Sequence, residues 1–412
     1  ARDISFSLPS ELSDEENIAL AREFIATNFV ALGMVADMCI HRGSGDEQPH
    51  VHLMLTTRTV DEDGFGQKNT EWNRRSLYIG WREEWANEAN RNLAKADFDI
   101  RIDHRSNKDR GIDLEPQNKK GSVNAQERFT KKVLEHEDIA RRNGDAIYAN
   151  PGIALDALTK YTSTFTLVDL AKFINTHTVD LEQFGMVYEQ VKSSKLMVKL
   201  GEDEKGRERY TSKEMLEIEY RMVRQAEGLE RKSFHTVDLE MRESISKKYG
   251  FSENQEEAFY HTTGDRDISC IVGYAGTGKS YMLCAAREVW EREGYNVVGM
   301  TLSGIAAEGL ESASGIKSYT VANRLTNWDN DRERVKKNDI IVVDEAGMLG
   351  SRALGRIIDE AVLHNAKVVL VGDPRQLQAI EAGGAFRGIL ERVGHVHLSE
   401  IRRQKENWQK EA

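Results

Sequence analysis

Three histidines and one glycine-rich loop hold most of the chemistry that can be read from this sequence. The stretch "PHVHLMLTTR" (49–58) alternates, so His50 and His52 share one face of a strand while Val51, Leu53 and Leu55 share the other. In "MVADMCIH" (34–41) the same spacing puts Asp37, Cys39 and His41 on one face. Between them "RGSGDEQP" (42–49) is rich in turn residues; if it closes as a hairpin, His41, His50 and His52 converge. Three imidazoles on rigid adjacent strands can hold one divalent metal and leave positions open. The ligand set alone suits Zn²⁺, Mn²⁺, Fe or Ni.

The second centre is "GYAGTGKS" (273–280). Gly273, Gly276, Gly278, Lys279 and Ser280 follow the apolar run "ISCIV" and open a helical pattern, the context a phosphate-binding loop needs. Backbone amides would curl around the phosphates of ATP, Lys279 would meet the β and γ phosphates, and Ser280 would ligate Mg²⁺. "IIVVDEAG" (340–347) delivers Asp344 and Glu345 to a strand end, where Asp344 would hold Mg²⁺ and Glu345 would orient or deprotonate water. Gln376 in "VVLVGDPRQLQAI" (368–380) and Arg403 in "LSEIRRQ" (398–404) would reach the γ-phosphate.

These residues need elements to carry them. A Ser13–Glu16 capping box opens a helix over 13–32, "ISFSL" (4–8) reads as a strand, and 78–94 reads as a helix. Residues 164–215 read as helix, helix and hairpin, an order that suits a small winged-helix-like unit or a plain linker domain. From 251 onward apolar strands alternate with amphipathic helices, which predicts a parallel sheet covered by helices. We therefore expect an α/β multidomain chain in three parts: 1–122 with an antiparallel sheet and helices, a mostly helical 123–250, and a parallel α/β P-loop domain at 251–412.

No apolar run approaches the length of a membrane span, and the N-terminus lacks a signal-peptide layout. Cys39, Cys270 and Cys284 lack metal or redox spacing and sit beside apolar residues, so all three are expected as buried free thiols in a reducing cytoplasm. The net charge of −11 argues weakly against a nucleic-acid partner, because phosphate binding needs a basic footprint. One local exception is 101–121, where Arg101, Arg105, Lys108, Arg110, Lys119 and Lys120 form either a basic groove or a solvated loop.

The order of motifs after 250 resembles superfamily-one DNA helicases of the RecD and TraI kind, which have RecA-like domains. That resemblance makes "GFSENQEEAFYH" (250–261) an adenine-reading segment with Gln255 as the reader, and "TLSGIAAEGLESASGIKSYT" (301–320) a motif for the DNA backbone. The first part resembles the MobA/MobL relaxases through "ARDISFSLP" (1–9), "IHRGSGDEQPHVHLMLTTR" (40–58), "WREEWANEANRNL" (81–93) and "RIDHRS" (101–106). Both sets in one chain resemble the Ti-plasmid TraA type of conjugative transfer relaxase.

The resemblance implies Mg²⁺ or Mn²⁺ on His41, His50 and His52, with Asp3 at a position where the family places an acidic residue. It implies metal-dependent nicking of single-stranded plasmid DNA at a transfer origin by a tyrosine, coupled to ATP-driven movement on DNA. It also implies relaxosome and type IV secretion components as partners and a bacterial cytoplasmic location. The family's tyrosine lies near the start of its relaxase domain, and Tyr78 does not match that position. The expectation is therefore a chain truncated at both ends, incomplete for nicking and unwinding. Two other readings stay open: a RecD-like repair ATPase with a non-catalytic DNA-binding N-terminal region, and an inactive truncated remnant.

Overall fold

The computed structural model describes residues 2–42, 48–61, 64–96, 98, 101–117, 126–203, 205–274, 276–373 and 384–399. The chain divides into two compact units, Ala1–Gly111 and Ile112–Ala412.

In the first unit β1 (Arg2–Ser7), β2 (Ala36–His41) and β3 (His50–Leu55) form an antiparallel sheet in the order β1-β3-β2. Val51, Leu53 and Leu55 of the central strand are buried beneath α1 (Asp14–Asn28) and α2 (Arg75–Lys95), together with Phe24, Phe29 and Trp81. The aromatic side chains interlock, Phe24 edge-on to Phe29 and Phe29 against Trp81. One face of the sheet is thus packed and the other is open, the usual condition of an antiparallel sheet with alternating residues. The capping box is present: the Glu16 amide donates to Ser13 Oγ, and the Ser13 amide donates to the Glu16 carboxylate. A hairpin of β4 (Arg58–Asp61) and β5 (Gly64–Lys68) follows.

The second unit opens with α3 (Gln126–Ala149), α4 (Gly152–Leu158), α5 (Leu167–Thr176) and α6 (Leu181–Lys192), then the hairpin β6 (Met197–Glu202) and β7 (Glu208–Ser212). The expected order of helix, helix and hairpin is observed, and a bridge between Phe165 and Tyr210 adds a third short strand edge. After α7 (Lys213–Glu230), α8 (Leu239–Tyr249) and α9 (Glu253–Thr262) comes the parallel part. Its strands are β8 (Ile268–Gly273), β9 (Asn296–Thr301), β10 (Lys317–Thr320), β11 (Asp339–Val343), β12 (Lys367–Gly372) and β13 (Val396–Leu398). They form one sheet in the order β10-β9-β11-β12-β8-β13, and every pairing is parallel. Helices α10 (Lys279–Arg292), α11 (Gly304–Ser314), α12 (Val321–Asp329), α13 (Ser351–His364) and α14 (Ala385–Val393) complete the alternation. β8, β11 and β12 are buried throughout, as strands covered on both faces must be.

The stretch 112–250 does not stand apart from this sheet. Met222, Ala226 and Leu229 of α7 share a core with Leu354, Ile357 and Ile358 of α13. Arg352 of α13 also donates to the Thr159 carbonyl at 2.8 Å and the Glu214 carboxylate at 3.1 Å. Asp156 completes this junction. Burial, and then its hydrogen bond to Glu214, raise its carboxyl to about 7. The shift has a testable sign. Asp156 takes up a proton on folding between about pH 4 and 7, so its stabilising contribution is present in acid and lost as pH rises through about 7. In urea titrations across that range, Asp156→Asn should flatten this part of the pH dependence; an unchanged profile would mean the carboxyl titrates normally.

Candidate metal centre and nucleotide site

The histidine face follows from register. His41 pairs with His50 and Cys39 pairs with His52, so cross-strand partners lie side by side on the open face. The ring centroids of His41 and His52 are 4.6 Å apart, those of His50 and His52 5.1 Å, and those of His41 and His50 5.2 Å. One ring nitrogen from each lies within 4.8 Å of the others, and among the described residues no other group of three or more His, Cys, Asp or Glu meets that condition. Around one ion such nitrogens stand about 3.0–3.4 Å apart, at roughly 2.1 Å from the metal, so modest side-chain rotation closes the set. His50 Nδ1 lies 3.1 Å from the Gln48 carbonyl and donates to it, which leaves Nε2 free to ligate. The donor set therefore fits a divalent metal. Asp3 pairs with Met54, two residues beyond His52, so it shares the face but lies outside the trio.

Cys39 corrects one expectation. It is exposed, not buried, because β2 turns Ala36, Met38 and Ile40 to the core and Asp37, Cys39 and His41 outward. The apolar neighbours in sequence belong to the opposite face. Cys270 is buried as expected, and its thiol is pushed up to about 12 by that burial. Cys284 is half-buried against the Tyr249 hydroxyl. In the basic stretch, the Arg105 guanidinium pairs with Asp103 at 2.7 Å, which cancels one of its charges; Lys119 and Lys120 lie outside the described residues.

In the second unit β8 ends at Gly273, and the loop turns into α10 through Gly276 and Gly278 at φ +85° and +86°. Only glycine adopts that backbone readily, which is why the loop can face its amides inward. Lys279 Nζ reaches back to the Gly273 carbonyl at 3.0 Å, arching over the space the loop encloses. Ser280 stands in the first turn of α10. Asp344 follows β11, and its carboxylate accepts the Glu345 amide at 2.9 Å. Glu345 is held at φ +58°. Burial and the neighbouring Asp344 charge raise its carboxyl above the usual range, against the pull of Lys279. Lys279 and Glu345 thus act in one electrostatic field at the carboxyl ends of the strands.

Gln255 is buried beneath the loop. Its Oε1 faces the Ser252 amide and its Nε2 packs on Gly278, where an added Cβ would collide with it. Gln376 and Arg403 lie outside the described residues. Sequence reading missed one close approach: a Cβ on Gly372 would meet the Gly347 amide at 2.9 Å, so β12 and the turn after Asp344 need glycine at that contact. The signal was present, since one glycine ends β12 and another follows shortly after β11.

Comparison with known proteins matches the two ends of the chain to different families. Residues 1–131 match the MobA/MobL family, and residues 250–412 match an AAA domain. The chain thus joins a part similar to the MobA/MobL family to a part similar to an AAA domain, and the second part carries the six-stranded parallel sheet. Over its whole length it is 36% identical to the conjugal transfer protein TraA of Agrobacterium fabrum, and it spans 41% of that protein. Parts of it resemble two further proteins. Mobilization protein A of Escherichia coli is 34% identical over 28% of this chain and 19% of that protein. The ATP-dependent RecD2 DNA helicase of Deinococcus radiodurans is 28% identical over 38% of this chain and 22% of that protein. No described helix is long and apolar enough to cross a membrane.

Proposed function

We propose that this chain belongs to a conjugative relaxase–helicase that nicks plasmid DNA at a transfer origin and moves along it with ATP. The observation that carries the reading is the convergence of His41, His50 and His52 on an open sheet face; Lys279, folded back on the Gly273 carbonyl and within the electrostatic reach of Glu345, supports its second half. His41, His50 and His52 would hold Mn²⁺ or Mg²⁺, with Asp3 further along the face. The ion, when bound, would polarise a scissile phosphate. The chain supplies the rest. The Gln48 carbonyl fixes the His50 tautomer, and the open face of the sheet would take a single strand of DNA.

In the second unit Gly273, Gly276, Gly278 and Lys279 would cradle the phosphates, Ser280 and Asp344 would hold the Mg²⁺ of ATP, and Glu345 would take the proton of the attacking water. Gln376 and Arg403 would meet the γ-phosphate, and Gln255 would contribute beside the loop. The substrate is single-stranded plasmid DNA, the partners are relaxosome and type IV secretion components, and the location is the bacterial cytoplasm. The supports are the matched families and the TraA likeness over the full chain.

The test is nicking of a supercoiled plasmid carrying the cognate transfer origin by the full-length protein with Mn²⁺. Nicked product with protein attached to a 5′ end is expected, and the H41A/H50A/H52A variant should produce none. Nicking by that variant at the unaltered rate would sink the reading.

A further inference from the structure

A second group of histidines lies far along the chain from the trio and plays no part in the proposed reaction. His395 and His397 flank Val396 at the edge strand β13. Leu398 and Val396 turn into the core, so both histidines take the other face, where both are exposed. Their Nε2 atoms are 2.9 Å apart and their ring centroids 4.7 Å apart. The backbone beneath them is fixed: β13 pairs with β8, the Asn254 amide group donates to the His397 carbonyl at 2.6 Å, and the Ser399 amide donates to Asn254 at 2.9 Å.

One ring N–H lies between two imidazole nitrogens this close. A metal ion can take that proton's place. With each nitrogen about 2.0–2.1 Å from an ion, their observed separation corresponds to a nitrogen–metal–nitrogen angle of roughly 90°. That is the cis angle of tetragonal and octahedral ions, so Ni²⁺ and Cu²⁺ match the observed separation once the two rings turn their lone pairs to a common point. Tetrahedral Zn²⁺ would need the nitrogens to open to about 3.4 Å. Mg²⁺ prefers oxygen donors and would gain little here. His261 on α9 feels the charge of His395 and has a buried Nε2 without a hydrogen-bond partner among the described residues, but it completes no three-ligand cluster there.

We propose that His395 and His397 form a two-nitrogen chelating site for a late first-row divalent metal, Ni²⁺ or Cu²⁺ ahead of Zn²⁺, separate from the histidine trio.

The test uses the 412-residue chain with the trio removed, H41A/H50A/H52A, so that the first site contributes nothing. Equilibrium dialysis against Cu²⁺ should find one bound equivalent, and its electron paramagnetic resonance spectrum should show coupling to two nitrogens. Adding His395→Ala should weaken binding at least tenfold and leave coupling to one nitrogen. Two independent ligands would instead lose half the sites at unchanged affinity, which would overturn the chelate. So would the absence of Cu²⁺ binding by the trio-free chain, or binding that survives H395A/H397A. Both side chains are exposed, so these substitutions remove no core contact, and His395→Gln repeats the test with bulk retained.

Discussion

Replacing His52 by alanine should lower Mn²⁺ affinity by more than about 100-fold, beyond the 10–100-fold typical when only a group behind a ligand is lost. The expectation rests on geometry. His52 lies on the central strand, within ring contact of both His41 and His50, so its loss leaves two nitrogens where three converge. The fold should not suffer, because His52 occupies the open face while Val51 and Leu53 carry the packing. Calorimetric titration with Mn²⁺ and thermal melting of the metal-free protein separate the two effects. Unchanged affinity in His52→Ala would mean that the trio is a cluster of surface imidazoles and nothing more. Asp3→Ala should change affinity far less, since that carboxylate stands outside the trio.

The second large effect belongs to the nucleotide site. Glu345→Gln should keep ATP binding and slow turnover by about 10²–10⁴-fold, the usual cost of removing a general base. Burial and the Asp344 charge make the Glu345 carboxylate a stronger base than a free glutamate. Turnover should therefore rise with pH through that elevated pKa, and the rise should vanish in Glu345→Gln. Lys279→Ala should behave differently, losing nucleotide binding, because its ammonium reaches back to the Gly273 carbonyl at the start of the loop. Single-turnover hydrolysis alongside binding of a fluorescent nucleotide distinguishes the cases. Equal turnover by Glu345→Gln and the unaltered chain would remove Glu345 from the role.

The histidine trio and the phosphate loop were legible because their signals are local. Alternation in 50–55 and a turn-rich connection were enough to bring three rings together, and the parallel sheet followed from buried runs ending in glycine or acid. What escaped was set by tertiary contact. The β4–β5 hairpin went unread although Asp63-Gly64 is a turn signal, because the flanking strands are short and polar. Gln255 lies on the buried side of its helix, packed on Gly278, and no spacing rule announces that contact. Nor could the sequence show that α7 would share a core with the parallel sheet, since α13 lies more than a hundred residues away.

The outward turn of Cys39 gives the histidine face a native chemical handle. It is the one exposed thiol of three, opposite His52 in the strand pairing, while Cys270 is buried with its thiol pushed up to about 12 and Cys284 is half-buried. A maleimide dye should therefore attach there selectively, without any engineered residue. Occupation of the neighbouring imidazoles by metal, or coverage of the face by DNA, would slow that attachment or alter the dye's emission. A face proposed to bind can thus be made to report, in real time, whether and when it is filled.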